Sequence, residues 1–405
     1  MNVRRSAAAA AATALLLGAA VPAAHAADTP SPDSSADLPS GLYGDKDPKF
    51  DGVFRQSYAL LAQDTVGVKP ARKAVDWLTR QQCNSGGFAA FRADPSEPCD
   101  AKTQVDSNST AAAVQALSAL GGQDTTVKKA VGWLKSVQNQ DGGWGYNPGL
   151  PSDANSTGIV VGALVAAGEK PAEVKSQQGK SAHDALPKLA LGCGKGEDGA
   201  FGLADMKTGK LAANADATAA GVLGSLDQGL VVKPAEKPAE PAKCADPKDV
   251  AQAARNGAAY LAAELAENDH LTSALPGSEN QPDYGNTADA VVALAAAGLG
   301  DQAKQSTDWL QKHAAKWAKD NGPAAYAQLI FAAHATGTNP ADFGATDLVR
   351  SLNATGPAPQ QEDAAAEEKK DEDGGLSPWW VIGVFFIASV GFGFLLSGRN
   401  KKNQL

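Results

Sequence analysis

Residues 130–168, AVGWLKSVQNQDGGWGYNPGLPSDANSTGIVVGALVAAG, contain the pattern that decides the fold. An amphipathic segment leads into a glycine-rich turn at 141–146, and a polar cluster at 153–157 then precedes an apolar segment. Residues 74–122 repeat this order more weakly, and the order recurs five times along the chain. Because a single helix pair cannot bury its own apolar face, repeats spaced roughly 45 to 70 residues apart predict helix pairs stacked into a toroid or solenoid.

Between residues 50 and 353 the pattern predicts twelve helices of two alternating kinds. Six are apolar on nearly every side, which is typical of buried helices: Gly52–Ala62, Ser109–Leu120, Ser156–Ala167, Ala213–Leu226, Thr287–Leu299 and Ala324–Ala335. Six carry a charged face, which is typical of helices in contact with water: Pro70–Gln82, Thr125–Gln138, Pro171–Leu191, Pro247–Glu267, Asp301–Lys319 and Pro340–Leu352. We therefore predict an all-α fold, an (α/α)6 toroid of six inner and six outer helices, plus one C-terminal transmembrane helix.

Both ends of the chain carry targeting patterns. Residues 1–26 combine two arginines, an apolar stretch and a final Ala-His-Ala, which predicts a cleaved signal peptide. Residues 378–397 form an apolar run long enough to span a bilayer, and basic residues follow it in 398–405. These patterns predict a single-pass type I protein of the cell membrane, with a short cytoplasmic tail.

The segments around the toroid domain (50–353) differ from it in composition. Residues 27–49 are expected to form an extended linker, and residues 354–377, rich in Pro and then acidic, are expected to form a stalk. A Pro-rich insertion at 232–247 interrupts the helical pattern. The toroid domain is therefore predicted to stand outside the cell above the membrane.

Four cysteines, an even number, suit an oxidising compartment. Spacing alone does not determine how they pair. Cys83 and Cys99 bracket one connection, while Cys193 and Cys244 bracket one helix. We predict the disulfides Cys83–Cys99 and Cys193–Cys244.

The formal net charge of −9 argues against a nucleic-acid partner. Binding to nucleic acid depends on neutralising phosphates with clustered Lys and Arg. The basic residues of this chain are scattered. We expect a small-molecule ligand and no nucleic acid.

The turn at Gln138–Gly145 and its weaker relatives at 82–88 and 198–202, together with six helix pairs, resemble the terpenoid cyclase/protein prenyltransferase α/α-toroid superfamily. The resemblance covers about residues 50–353. The superfamily includes squalene and hopene cyclases, prenyltransferase β subunits, thioester domains, and cobalamin carriers resembling intrinsic factor and transcobalamin. The resemblance thus implies the toroid fold and leaves the activity open.

Each reactive branch of that superfamily depends on a motif that this sequence lacks. The Asp-rich DxDD and DDxxD motifs of cyclases do not occur, and neither does the Asp-x-Cys zinc motif of prenyltransferases. The thioester motif is matched only at 192–194, because Lys195-Gly196 stands where Glu-Gln is required. Whether the protein is an enzyme stays open, with the sequence favouring a non-catalytic protein that holds no metal and no cofactor.

The polar clusters ahead of the inner helices are expected to meet at one mouth of the toroid. Ser109, Ser156 and Thr218 are expected to cap their helices, which leaves the acids just ahead of them free to face the mouth. An apolar bowl with a polar collar and aromatic rim is typical of a small-molecule site. The predicted ligand-binding residues are Asp106, Asn108, Trp144, Tyr146, Asp153, Asn155, Asp216, Tyr284 and Asn286.

Three functions follow as alternatives. The first, which we expect, is a membrane-anchored extracellular toroid that binds a ligand for uptake by a membrane transporter. The resemblance to the intrinsic-factor branch implies a corrinoid, although that branch closes its ligand against a small β domain that this chain lacks. The second is a divergent terpenoid cyclase or prenyltransferase-like enzyme, or a carbohydrate-active enzyme with carboxyls roughly 6 to 9 Å apart, chosen from Asp106, Asp153, Asp205 and Asp216. The third is a structural surface protein.

Overall fold

The computed structural model describes residues 38–194, 198–205, 208–234, 238–274 and 277–361. The predicted signal peptide, the transmembrane helix at 378–397 and the tail at 398–405 lie outside these residues. Within the described part of the chain, no helix is both long and apolar enough to cross a membrane. The finding concerns the described residues alone.

Thirteen α-helices occur among the described residues. In chain order they are α1 (Gly52–Thr65), α2 (Arg72–Arg80), α3 (Ser107–Leu120), α4 (Asp124–Ser136), α5 (Ala154–Ala166), α6 (Ala182–Leu189), α7 (Ala215–Ser225), α8 (Val250–Ala266), α9 (Tyr284–Ala296), α10 (Gly300–His313), α11 (Ala315–Asn321), α12 (Pro323–Ala335) and α13 (Leu348–Asn353). A 3-10 helix, Pro340–Asp342, precedes α13.

The apolar helices α1, α3, α5, α7, α9 and α12 form a closed inner ring. Each packs against the next, and α12 packs against α1. The amphipathic helices pack outside this ring, so the predicted α/α toroid is confirmed, with thirteen helices among the described residues in place of the twelve predicted. Three outer helices are less regular than predicted. Only Ala182–Leu189 of 171–191 is α-helical, and the helix predicted over 301–319 divides at Ala314 into α10 and α11. The helix predicted over 340–352 is a 3-10 turn at Pro340–Asp342 followed, after a gap, by α13.

Small residues let the inner helices approach closely. At Gly158 of α5, an added Cβ would lie 2.2 Å from the carbonyl oxygen of Ala220 in α7, a distance that no side chain tolerates. Gly224 of α7 faces the same contact from the other side. The Ala- and Gly-rich composition of these helices is thus a requirement of ring packing.

Two short antiparallel hairpins interrupt the helical pattern. Strand β1 (Phe88–Ala89) pairs with β2 (Val105–Asp106), and β3 (Gly202–Ala204) pairs with β4 (Leu211–Ala213). Each hairpin leads directly into an inner helix, α3 or α7. Strands of two or three residues have no periodicity that could be recognised in the sequence.

Both predicted disulfides are present. Cys83–Cys99 closes the connection that contains β1, and Cys193–Cys244 closes a loop that contains α7. Because Cys193 is bonded, it is not available for the thioester chemistry that its surroundings faintly resemble.

The two ends of the described chain meet beside α1. The Gly44 N–H donates to the Thr355 carbonyl at 2.8 Å, and the buried Tyr43 hydroxyl donates to the Pro357 carbonyl at 3.1 Å. The Gln360 N–H donates to the Lys69 carbonyl at 2.9 Å. Residues 38–49 of the predicted linker and 354–361 of the predicted stalk therefore pack against the ring.

Candidate functional site

A cavity of about 320 Å³ lies on the axis of the inner ring. All six inner helices contribute to its wall, and residues 228–230, which follow α7, contribute its floor. Its polar lining residues are Tyr58, Gln115, Asn155, Asp216, Gln228, Asn286, Asp289 and Gln328. The remaining lining residues are apolar, so the lumen has the composition of a small-molecule site.

The floor is fixed by one buried amide. The Gln115 Oε1 accepts from the Leu230 N–H at 2.9 Å, and its Nε2 donates to the Ile159 carbonyl at 3.3 Å. Gly229 lies so close that an added Cβ would be 2.6 Å from the Gln115 Oε1. The end of the lumen opposite the helix N-termini is therefore held by Gln115, and a side chain at Gly229 would displace this amide.

The polar mouth is organised by helix capping, although the capping residues differ from those predicted. Carboxylate and amide oxygens accept the orphan backbone N–H groups at the helix starts, and the residues that do so are Asp106 (α3), Asp153 (α5), Asn214 (α7) and Asp283 (α9). The prediction that Ser109, Ser156 and Thr218 are the caps is therefore wrong. The predicted free acids, Asp106 and Asp153, are the caps themselves.

A threonine in each of these four helices has a different task. Its hydroxyl accepts the backbone N–H of a residue in the preceding turn, which fixes that turn against the inner helix. We call this bond the threonine clamp; the pairs are Phe88 to Thr110 (2.9 Å), and Trp144 to Thr157, Phe201 to Thr218 and Leu271 to Thr287 (3.0 Å each).

The caps fix where α5 and α7 begin, and in both helices the second residue then points into the lumen. Asn155 and Asp216 both line the cavity, and the Asn155 Nδ2 donates to the Asp216 Oδ2 at 2.9 Å. The Asn108 Nδ2 extends this chain to the Asn155 Oδ1 at 3.3 Å. Hydrogen bonds between side chains thus connect the first turns of the neighbouring helices α3, α5 and α7.

Asp216 and Asp289 are the two carboxyls of the lumen. Burial, followed by the charges of Asp283 and Asp153, raises the pKa of Asp216 to about 6. Burial, followed by the charge of Asp216, raises the pKa of Asp289 to about 8, although the Gln328 Nε2 donates to it at 3.0 Å. At neutral pH the Asp289 carboxyl is therefore largely protonated.

Three aromatic rings complete the lining on α1 and α12. The Phe54 and Tyr58 ring centroids are 4.4 Å apart, and the Tyr58 and Phe331 centroids are 5.6 Å apart with edge-to-face geometry. Burial, then the charges of Asp289 and Asp216, raises the pKa of Tyr58 well above its usual value. Among the described residues that line the cavity there is no Lys, Arg or His.

Of the nine predicted binding residues, Asn155, Asp216 and Asn286 line the lumen, and Asn108 reaches it through Asn155. Trp144 does not, because it is 1% exposed and its indole N–H donates to the Leu134 carbonyl at 2.7 Å within the wall. A binding role for these residues stays a prediction.

The other predicted residues lie outside the cavity lining. Tyr146 is 45% exposed at the rim. Tyr284 stacks between Trp309 and Trp317, with centroids 5.2 and 5.6 Å away. Asp106 and Asp153 cap their helices, and Asp205 lies on the exposed β3–β4 hairpin. Of the four acids nominated for glycoside hydrolysis, only Asp216 lines the cavity.

Sequence reasoning missed Gln228, which follows α7, and four residues of the inner helices, Tyr58, Gln115, Asp289 and Gln328. The last three are isolated polar residues inside helices that are otherwise apolar, such as AAAVQALSAL at 111–120. A buried polar group on an inner helix is costly unless it is paired or faces a polar space. That signal was visible in the sequence and points to the lumen.

Residues 56–188 match the family model described as the prenyltransferase alpha-alpha toroid domain. Over this segment, the match confirms the resemblance to the terpenoid cyclase/protein prenyltransferase α/α-toroid superfamily. A stretch of 47 residues is 51% identical to drimenyl diphosphate synthase of Streptantibioticus cattleyicolor. It covers 12% of this chain and 9% of that enzyme, so the chain spans only a small part of the curated relative it matches.

Solved structures of low sequence identity were also compared. The type II terpene cyclase MstE from Scytonema is 12% identical, with 67% of this chain and 72% of that chain covered and a TM-score of 0.44. The ent-copalyl diphosphate synthase from Streptomyces platensis is 16% identical, with coverages of 71% and 50% and a TM-score of 0.45. These similarities are too low to indicate a ligand or a reaction.

Proposed function

We propose that this protein binds a small molecule in the lumen of its toroid without transforming it. The observation that carries the proposal is the cavity of about 320 Å³, into which a closed ring of six helices directs several polar side chains. A ring packed only for stability would fill its axis with apolar side chains, because a buried carboxyl costs free energy. The volume lies at the lower end of the range for ligand pockets, which favours a compact ligand.

The location of the protein and the fate of its ligand belong to the same proposal. The predicted membrane anchor at 378–397 would hold the toroid at the cell surface, where a membrane transporter could receive the ligand. A corrinoid is broader than this lumen and would have to rest across the mouth. The cavity therefore favours a smaller ligand than the one the resemblance implies.

The proposal can be tested with N-phenyl-1-naphthylamine, a neutral probe that becomes fluorescent in apolar sites. We expect the full-length protein to enhance its fluorescence in a saturable way. Ile159→Phe enlarges a lining side chain and should weaken binding at least about tenfold, because the lumen has little spare volume.

The matched control is Leu150→Phe, which makes a similar change at a residue that is 47% exposed and outside the cavity. It should leave the affinity for the probe unchanged. Equal affinity of both variants, or no saturable binding by the unmodified protein, would count against a lumenal site.

The second candidate function is a cyclase-like enzyme, favoured by the family match at 56–188 and by the protonated Asp289 carboxyl. A neutral carboxylic acid can act as a proton donor. Here, however, the resulting carboxylate would be left beside Asp216 and Asp283 with no basic group among the lining residues, which makes it a poor acid. The described residues that line the lumen likewise offer no cation to hold a diphosphate.

Incubation of the full-length protein with farnesyl diphosphate, followed by gas chromatography and mass spectrometry, tests this candidate. We expect no cyclised product. Product that disappears in Asp289→Asn, while the Asp124→Asn control on α4 still forms it, would establish the enzyme and overturn the non-catalytic assignment.

A further inference from the structure

We propose that the ligand of the lumen is an organic cation, a protonated amine or quaternary ammonium carried on a compact apolar body. This inference rests on the proposed lumenal binding function and names its ligand class. Its basis is the joint composition of one cavity: two carboxyls, three aromatic rings and, among the described lining residues, no basic side chain.

No basic side chain among the described lining residues balances the two carboxyls. Asp216 receives one side-chain hydrogen bond from Asn155, and Asp289 receives one from Gln328. A carboxylate has about four lone-pair sites, so each group retains acceptor capacity when it is ionised. Amides would satisfy the same neighbours without the cost of burying charge, and the presence of carboxyls therefore requires a reason beyond structure.

The surrounding helices also contribute acidic groups. Asp153 on α5 and Asp283 on α9 act on Asp216, while Tyr58 on α1 lies within the field of both lumenal carboxyls. Helices α3 and α12 face the cavity with the amides of Gln115 and Gln328. These acidic groups favour a cation over an anion in the lumen.

The aromatic rings suit the same ligand. Phe54, Tyr58 and Phe331 form a continuous cluster in the wall. Aromatic faces attract ammonium groups, and the attraction is strongest where water is excluded. A neutral apolar ligand would use the rings and leave the carboxyls without a partner.

Binding of a cation should be linked to the release of a proton. In the empty lumen the pKa of Asp289 is about 8, because the carboxyl is buried beside Asp216. A bound cation favours the ionised carboxyl and lowers that pKa. Affinity should therefore rise as the pH increases from about 6 to about 8, and it should level off above that range.

Three probes of similar size and different charge provide the test: benzylamine, benzyl alcohol and benzoate. Isothermal titration of the full-length protein at pH 8 should give an affinity for benzylamine at least about tenfold above that for benzyl alcohol, and no detectable binding of benzoate. In two buffers of different ionisation enthalpy, near pH 7, the heat of benzylamine binding should reveal proton release.

Substitutions of the two lumenal carboxyls test whether these groups cause the preference for benzylamine. Asp289→Asn and Asp216→Asn should each reduce the preference for benzylamine at least about fivefold, whereas Asp124→Asn on the outer helix α4 should leave it unchanged. Retained binding of N-phenyl-1-naphthylamine in the two lumen variants would show that their cavity is intact. A preference that survives both substitutions would overturn the assignment to these carboxyls.

Two failures are distinguishable. If N-phenyl-1-naphthylamine binds but benzylamine and benzyl alcohol bind with equal affinity, the assignment of a cationic ligand is wrong and the lumenal binding function stands. If neither N-phenyl-1-naphthylamine nor any benzyl probe binds, the lumenal binding function is itself wrong.

Discussion

The six helices of the inner ring begin in two different ways. The difference separates α3, α5, α7 and α9 from the pair α1 and α12. The first four begin with a side-chain cap and a threonine clamp. Helix α1 has no side-chain cap bond, and α12 begins at Gly322-Pro323 instead. The four capped helices supply Gln115, Asn155, Asp216, Asn286 and Asp289 to the lumen, whereas α1 and α12 supply its aromatic rings and Gln328.

This difference shows how a repeat can be adapted to make an asymmetric cavity. A capped start fixes the rotation of a helix, because the cap and the clamp hold its first two turns against the preceding turn. In α5 and α7 that rotation places the second residue of the helix toward the axis. Where the ring closes, the same restraint is absent, and bulky rings occupy the wall.

The largest expected effect comes from removing an aromatic residue of a clamped turn. Trp144→Ala should lower the free energy of unfolding by about 3–5 kcal/mol, because it leaves a cavity in the wall and removes the indole N–H that donates to the Leu134 carbonyl. Urea denaturation followed by circular dichroism measures it. Tyr146→Ala, two residues away and half-exposed, should cost far less, and equal losses would mean that the clamped turn is not a rigid unit.

The carboxyl pair should produce the next largest effect, with a pH dependence. The pKa of Asp289 is raised to about 8 by burial and by Asp216, whereas an unfolded Asp ionises near pH 4. Between these values the unfolded chain binds fewer protons, so this group's contribution to stability is lost as the pH rises.

Asp289→Asn removes this titration. The variant should therefore be more stable than the unmodified protein at pH 8, by on the order of a few kcal/mol, and the gain should shrink as the pH falls toward 4. Urea denaturation at several pH values measures the difference. A gain that did not vary with pH would contradict the raised pKa.

A smaller effect is expected from the clamp alone. Thr157→Val keeps the shape of the side chain but leaves the Trp144 N–H without its acceptor, which should cost about 1–3 kcal/mol. Thr65→Val near the end of α1 removes only a bond to the Leu61 carbonyl of the same helix. It should cost less; a larger loss there than at Thr157 would show that the clamp contributes little.

The sequence was sufficient to predict the architecture because the inner and outer helices differ in composition along their whole length. Both disulfides were also predicted correctly, although spacing alone does not determine how the cysteines pair. It was not sufficient for the start of each inner helix. In Asp153-Ala-Asn155-Ser-Thr157 nearly every residue is a good cap, and an error of two or three positions exchanges the capping residue for the lumenal one.

The lumen could be predicted only in part for a similar reason. Asp289 and Gln328 are single polar residues in apolar helices, and their direction depends on how each helix is rotated within the closed ring. That rotation follows from contacts between helices far apart in sequence, such as α1 with α12. Local patterns do not contain this information.

The meeting of residues 38–44 with 354–361 beside α1 has a mechanical consequence. A force applied to the two ends of the domain would act first on the bonds of Gly44 with Thr355 and of Tyr43 with Pro357. Because the two ends of the domain lie side by side, the force would pass directly from one end to the other and would not stretch the ring. The lumen can therefore keep its dimensions under tension, whatever the chain is attached to at either end.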